Sequence, residues 1–177
     1  MCNAQGKCGT HSGSSSLSGA EKLLLYCIKK NGFSIVYAFD HLPNFAYSVG
    51  LEETWAHPEL VVFGLDQELS HRLITDTVNL IKQGSSFLNE NRADTIINEF
   101  RVMFMEVPFD IGIYSLSQAA NYYGDRKFRV IQILWPDQMG RFPVDDNCDE
   151  KVKSVQPVML QRPNLPEHLR ALKIAVK

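Results

Sequence analysis

The sequence predicts an α+β fold: a single domain with a mixed or largely antiparallel sheet of about five strands and three to four packed helices. Three observations lead there. Two aromatic and β-branched runs, "FSIVYAF" (Phe33 to Phe39) and "FAYSVGL" (Phe45 to Leu51), are separated only by "DHLPN". So short a connection suits an antiparallel hairpin, because parallel neighbours need a longer crossover. The run "ELVVFGL" (Glu59 to Leu65) is apolar after its first residue, as a short strand covered on both faces would be. The segment after it places Leu69, Leu73, Ile74, Val78 and Ile81 at helical spacing instead.

Residues 1–18 are rich in Gly and Ser without apolar periodicity and read as a mobile leader. Ser18 with Glu21 has capping-box spacing and opens a helix whose Leu24, Cys27 and Ile28 share a face. Asn31-Gly32 ends it. The hairpin and the buried strand follow, and then a helix capped by Asp66 that runs to about Gln83 before Gly84. Asn91 to Asn98 reads as a short helix or turn, and "FRVMFMEV" (Phe100 to Val107) as a strand stopped by Pro108. Leu116 to Tyr123 forms a short helix between Ser115 as cap and Gly124 as stop, and "KFRVIQILW" (Lys127 to Trp135) is the last strand. Beyond Asp137 the pattern is loop-like, so the domain is placed at 19–160. A tail at 161–177 follows, with a further helix from Glu167 to Val176.

A chain of 177 residues suffices for one sizeable core and not for two. The net charge of −2 comes with scattered basic residues, so nothing draws the protein to nucleic acid. No apolar run reaches membrane-spanning length, and the N-terminus lacks the apolar core of a secretory signal. With four irregularly spaced cysteines, this points to a cytoplasmic protein with reduced thiols.

The stretch "ILWPDQMGRFP" (Ile133 to Pro143) invites a catalytic reading, because a Trp-Pro-Asp loop supplies the general acid in cysteine-dependent phosphatases. Those enzymes need an arginine six residues after the thiolate. Cys2, Cys8, Cys27 and Cys148 are followed at that spacing by Cys8, Ser14, Phe33 and Ser154. The phosphatase reading fails. The structural reading has Pro136 stopping the ladder, Asp137 and Gly140 forming a turn, and Arg141 pairing with Asp137 or a terminal carbonyl.

His57-Pro58-Glu59 offers an imidazole beside a carboxylate, a sensible acid–base pair. The bland alternative has His57 hydrogen-bonding backbone while Glu59 faces solvent. No metal is expected: His41, His57, His71 and His168 lack i, i+4 pairing, and Cys2, Cys8 and His11 have the wrong spacing for zinc thiolates. Ser48-Val49-Gly50 carries half of a nucleophile elbow, with Ala46 replacing its first glycine. No dinucleotide or phosphate-loop fingerprint is present, and no cofactor is expected.

Taken together, Phe45 to Leu51, His57 to Leu60, Trp135 to Pro143 and Gln156-Pro157 resemble, in order and spacing, the bacterial domain-of-unknown-function family four-two-six-two. The resemblance covers about Gly32 to Leu160 and implies that the two polar turns belong together. Tyr47, His57, Glu59, Asp137 and Arg141 are therefore expected to share one pocket. Arg141 would meet an anionic or polar small ligand, with Ser48 beside it and Trp135 or Tyr47 stacking on a planar part. The alternative is a hydrolase with His57 as general base, Glu59 orienting it, Asp137 as acid and Arg141 stabilising an anion. A third reading docks a partner on the acidic loop Asp145 to Glu150.

Overall fold

A computed structural model describes residues 17–38, 42–87, 95–97 and 100–160. The expected leader up to residue 16, the helix from Glu167, and Cys2, Cys8, His11, His41 and His168 lie outside them.

The first helix, α1 (Gly19–Asn31), starts at the predicted capping box: Ser18 Oγ accepts from the Glu21 amide while the Glu21 carboxylate accepts from the Ser18 amide. It stops at Gly32 in the left-handed conformation. The hairpin follows as β1 (Ser34–Ala38) and β2 (Phe45–Val49), antiparallel with Val36 opposite Tyr47. Between β2 and β3 (Glu59–Phe63) the chain makes a single short helix, α2 (Leu51–Trp55). The long helix α3 (Gln67–Lys82) is capped by Asp66, whose Oδ1 accepts from the Leu69 amide at 2.8 Å.

Next come β4 (Thr95–Ile97) and β5 (Phe100–Val107), which pair antiparallel. The expected helix or turn at Asn91 to Asn98 is thus corrected to an edge strand over its described part, paired through Ile97 opposite Phe100. Two short helices, α4 (Phe109–Ser115) and α5 (Ser117–Tyr123), lead into β6 (Val130–Leu134). Ser115 does not cap α5. Its hydroxyl donates back to the Ile111 carbonyl, and Tyr47 takes the capping part by accepting from the Gln118 amide at 3.2 Å. A last short helix, α6 (Glu150–Val155), occupies a region that the sequence had suggested was loop; Asp149 caps it by accepting from the Lys151 amide.

The strand order is β1-β2-β3-β6-β5-β4, antiparallel except for the parallel β3–β6 pair at the centre. Alternation along the central strands feeds two cores. Tyr47, Val61, Phe63 and Val130 face α4, α5 and the inner side of α1, whereas Ala46, Leu60, Val62, Ile131 and Ile133 face α3. This explains the run "ELVVFGL": β3 has helices against both faces. Leu73, Ile74, Val78 and Ile81 of α3 are all buried, and at roughly 1.5–3 kcal/mol per side chain that face alone holds α3 to the sheet. No described helix is long and apolar enough to cross a membrane.

Candidate functional site

At the start of β3, Glu59 is fully buried. Its Oε2 accepts from Ser48 Oγ at 2.5 Å, and its Oε1 accepts from the amides of Gly50 at 2.9 Å and Glu52 at 3.2 Å and from the Tyr123 hydroxyl. Ser48 in turn accepts from the Leu60 amide at 2.8 Å. The carboxyl thus ties together β2, α2, β3 and α5. Burial pushes it above the ordinary glutamate range, against hydrogen bonds from Ser48, Tyr123 and the two amides that favour the ionised form. Burial and the neighbouring carboxylate also raise the Tyr123 phenol, which stays protonated and donates. Gly50 is required here because its φ is +113° and an added Cβ would meet the Gly32 carbonyl oxygen at 2.9 Å.

His57 is buried too, and both ring nitrogens are engaged. Nδ1 lies 2.8 Å from the Pro58 carbonyl, so Nδ1 carries the proton and donates; Nε2 then accepts from the Phe87 amide at 3.5 Å. Burial lowers its pKa, which matches a neutral ring. The backbone-bonding reading of His57 therefore describes its contacts, but Glu59 does not face solvent.

The Trp135–Pro143 turn is organised by Asp137. Its Oδ1 accepts from the Met139 and Arg141 amides at 2.9 Å, and its Oδ2 accepts from Arg141 Nε at 2.8 Å and the Asp149 amide at 3.0 Å. Burial pushes this carboxyl up, but the hydrogen bonds from Arg141, Asp149 and Met139 outweigh it and hold the pKa at about 2. The Arg141 guanidinium is tied to Asp137 through Nε, and its side chain stays partly exposed at this turn. The Trp135 indole N–H donates to the Phe63 carbonyl at 2.9 Å. Gln156 clamps Trp135 from the side, accepting from its amide at 3.0 Å and donating to its carbonyl at 2.9 Å. Gln132 does the same for the chain just beyond, gripping the Pro157 carbonyl and the Met159 amide at 2.8 Å each. Cys148 is buried beside this turn, and burial together with the Asp137 charge raises its thiol, the opposite of an activated nucleophile.

The two turns do not share a pocket. β3 and β6 run parallel, with Glu59 level with Val130 and Val62 level with Ile133. His57 precedes the start of β3, and Asp137 follows the end of β6. At roughly 3.3 Å per residue, the strand alone separates them by about 13 Å. The expected convergence of Tyr47, His57, Glu59, Asp137 and Arg141 is corrected by this register: Ser48, His57 and Glu59 belong to one end of the sheet, Tyr47 stands opposite Val61 in its middle, and Trp135, Asp137 and Arg141 belong to the other end. The acid–base pair of a hydrolase is not assembled.

A cleft of about 430 Å³ does open at the His57 end, where Pro58 meets Glu106, Pro108, Phe109, Phe128 and Arg129. Arg129 grips Glu52 with Nε and Nη2 at 3.0 and 2.7 Å, and Nη2 also donates to the Ala56 carbonyl at 2.6 Å. Its Nη1 has no hydrogen-bond partner among the described residues. Glu106 lies on the same sheet face, one diagonal step across the β5–β6 pair, and its charge helps raise the Arg129 pKa after the Glu52 hydrogen bond. The sequence reading missed these residues. The available signal was an arginine just before an all-buried strand, with a proline ending the strand beside it.

The family model described as a domain of unknown function, DUF4262, matches residues 27–149. The chain belongs to that family. Both polar turns fall inside the matched span, whereas Gln156-Pro157 and the whole of α6 follow it. No curated protein and no solved structure matches the chain. Among the described residues no group of three or more His, Cys, Asp or Glu side chains could hold a metal.

Proposed function

We propose that this DUF4262 domain binds a small polar molecule in the cleft beside Pro58. The supporting observation is the unspent half of the Arg129 guanidinium: Glu52 and Ala56 fix its plane, and Nη1 is left as a donor at a cleft with apolar walls. Nη1, charged and held in a fixed plane, offers its two N–H groups to a carboxylate or carbonyl oxygen. Phe109, half exposed, supplies surface for a planar or apolar portion, and Glu106 an acceptor for a donor group. The His57-Pro58-Glu59 turn then serves binding indirectly, by holding Pro58 and the Arg129 partner Glu52 in place. Asp137 and Arg141 have no part in it.

A thermal-shift and calorimetric screen of small carboxylates, amides and nucleobases tests this on wild type, Phe109→Ala, Arg129→Lys and Arg141→Ala. A ligand that stabilises wild type and Arg141→Ala, and binds the two cleft variants about tenfold or more weakly, is the expected result. A panel with no binder, or one that binds all four proteins equally, overturns the proposal.

A further inference from the structure

Helix α1 is bound to the domain by one side only. Leu24 and Ile28 pack on the core, yet none of its residues is completely buried. Of the eight large apolar side chains exposed among the described residues, four are Leu17, Leu23, Leu25 and Tyr26, in α1 and the turn before it. The remaining four are scattered over the rest of the chain. Single exposed apolar residues are ordinary, but Leu25 lies on the flank of the helix next to α5, whereas Leu23 and Tyr26 project elsewhere around it. On that flank, a groove of about 230 Å³ runs between α1 and α5, lined by Leu17, Leu24, Leu25, Gln118 and Tyr122.

The charges along this helix say what fits it. Glu21, Leu25 and Lys29 succeed one another at i, i+4 and i+8, so they form one row, acidic at its start and basic at its end. A second copy laid antiparallel with a two-fold axis at Leu25 brings Leu25 against its own counterpart. The same operation sets Glu21 level with Lys29 of the second copy, twice over. It also opposes the two helix dipoles. A parallel arrangement would set Glu21 against Glu21 and Lys29 against Lys29. Glu21 has an oxygen to spare: Oε2 accepts from the Ser18 amide at 2.7 Å, and Oε1 makes no hydrogen bond among the described residues. Lys30, which would add repulsion, lies over the Tyr26 ring at 5.9 Å, around the helix from this row.

We propose that the protein self-associates through α1, as an antiparallel two-fold pair centred on Leu25. The proposal stands apart from the ligand cleft, which lies on other elements.

The test is analytical ultracentrifugation of the full chain over a wide concentration range. Leu25 is 39% exposed, so its replacement leaves the fold standing, and melting temperatures of the variants check this. Wild type is expected to dimerise. Leu25→Glu and Leu25→Lys should each weaken the dimer by about thirtyfold or more, the scale of a central interface contact, because each places two like charges on the axis. Mixing the two variants should restore association, since glutamate then faces lysine. A wild type monomeric at all concentrations overturns the proposal. So does a dimer indifferent to Leu25, which would place the interface elsewhere, or a mixture that stays monomeric, which would reject the two-fold axis at that residue. A monomer in which α1 is protected from labelling in wild type and exposed after removal of residues 161–177 would assign the face to the chain's own tail, again overturning it.

Discussion

Replacing Glu59 tests the arrangement most directly. The buried carboxyl receives four donors: the hydroxyls of Ser48 and Tyr123 and the amides of Gly50 and Glu52. In Glu59→Ala the Ser48 hydroxyl can turn toward another acceptor. The Gly50 amide and the Tyr123 hydroxyl are held by backbone and packing. An orphaned buried donor costs about 1–3 kcal/mol, so two of them with the small cavity left behind make a loss of about 4 kcal/mol. That is a large share of a domain stability of about 5–15 kcal/mol. Glu59→Gln keeps one acceptor oxygen for the amides and Tyr123 and turns an N–H toward Ser48; a loss of about 1–2 kcal/mol is expected. Urea unfolding at neutral pH measures both. The pH dependence adds an independent check. The folded pKa of Glu59 lies above the ordinary 4.5, so the folded protein holds this proton more tightly than the unfolded chain does. The stability it contributes is fully present below 4.5 and is lost as pH rises through the folded value. The glutamine variant has no such slope, so the wild-type advantage over Glu59→Gln should be largest in acid and shrink toward neutrality. A Glu59→Ala protein within about 1 kcal/mol of wild type would refute the reasoning, because a carboxyl so easily dispensed with cannot be the joint of four elements.

Gly50→Ala should destabilise by about 2–4 kcal/mol in the same assay, combining a left-handed φ with a contact on the Gly32 carbonyl. Gly84→Ala, equally left-handed but with open space around it, should cost about 1 kcal/mol. Gln156→Ala strands both backbone groups of Trp135 and should cost about 1–3 kcal/mol, with faster proteolysis near α6. Asp137 behaves oppositely to Glu59 in acid: its pKa of about 2 lies below the ordinary 3.8, so its stabilisation is present above 3.8 and is lost as pH falls toward 2. Acid titration of Asp137→Asn by circular dichroism should lack that part of the unfolding curve.

The fold was legible where local chemistry and tertiary packing agree. Ser18 and Glu21 form their box, Asp66 caps α3, and β5 occupies the predicted Phe100–Val107 span. Four short elements, α2, α4, α6 and β4, were not legible, although α5, no longer than α4, was. The helices α2 and α4 have five and seven residues, and they are held by partners distant in the chain, such as Arg129 for α2. Edge strand β4 has three residues and takes its identity from β5. The site misled for a different reason. Polar residues in matched family motifs were assigned to one pocket because both turns sit at strand ends, and sequence does not say which end. The parallel pairing of β3 with β6 decides it: a turn before one and a turn after the other fall on opposite sides of the sheet. Arg129 was invisible as a binding candidate since its exposed tip depends on Glu52, 77 positions away.

Both motif carboxylates do the same physical job, and that job limits what they can do chemically. Where β2 and β3 part company, the amides of Gly50 and Glu52 lose any ladder partner, and Glu59 accepts from them. Where β6 ends at Trp135-Pro136, the amides of Met139, Arg141 and Asp149 are in the same position, and Asp137 accepts from those. A carboxylate already holding four donors has no lone pair left for a substrate proton without breaking the turn that positions it. Glutamines 132 and 156 close the remaining gaps with side-chain amides that imitate a neighbouring strand. The motifs are thus read most economically as the fastenings of an open sheet, one set at each end. Among the described residues, the cleft groups left without a hydrogen-bond partner at the His57 end are then Arg129 Nη1 and the exposed Glu106 carboxylate, and the proposed binding rests on those two.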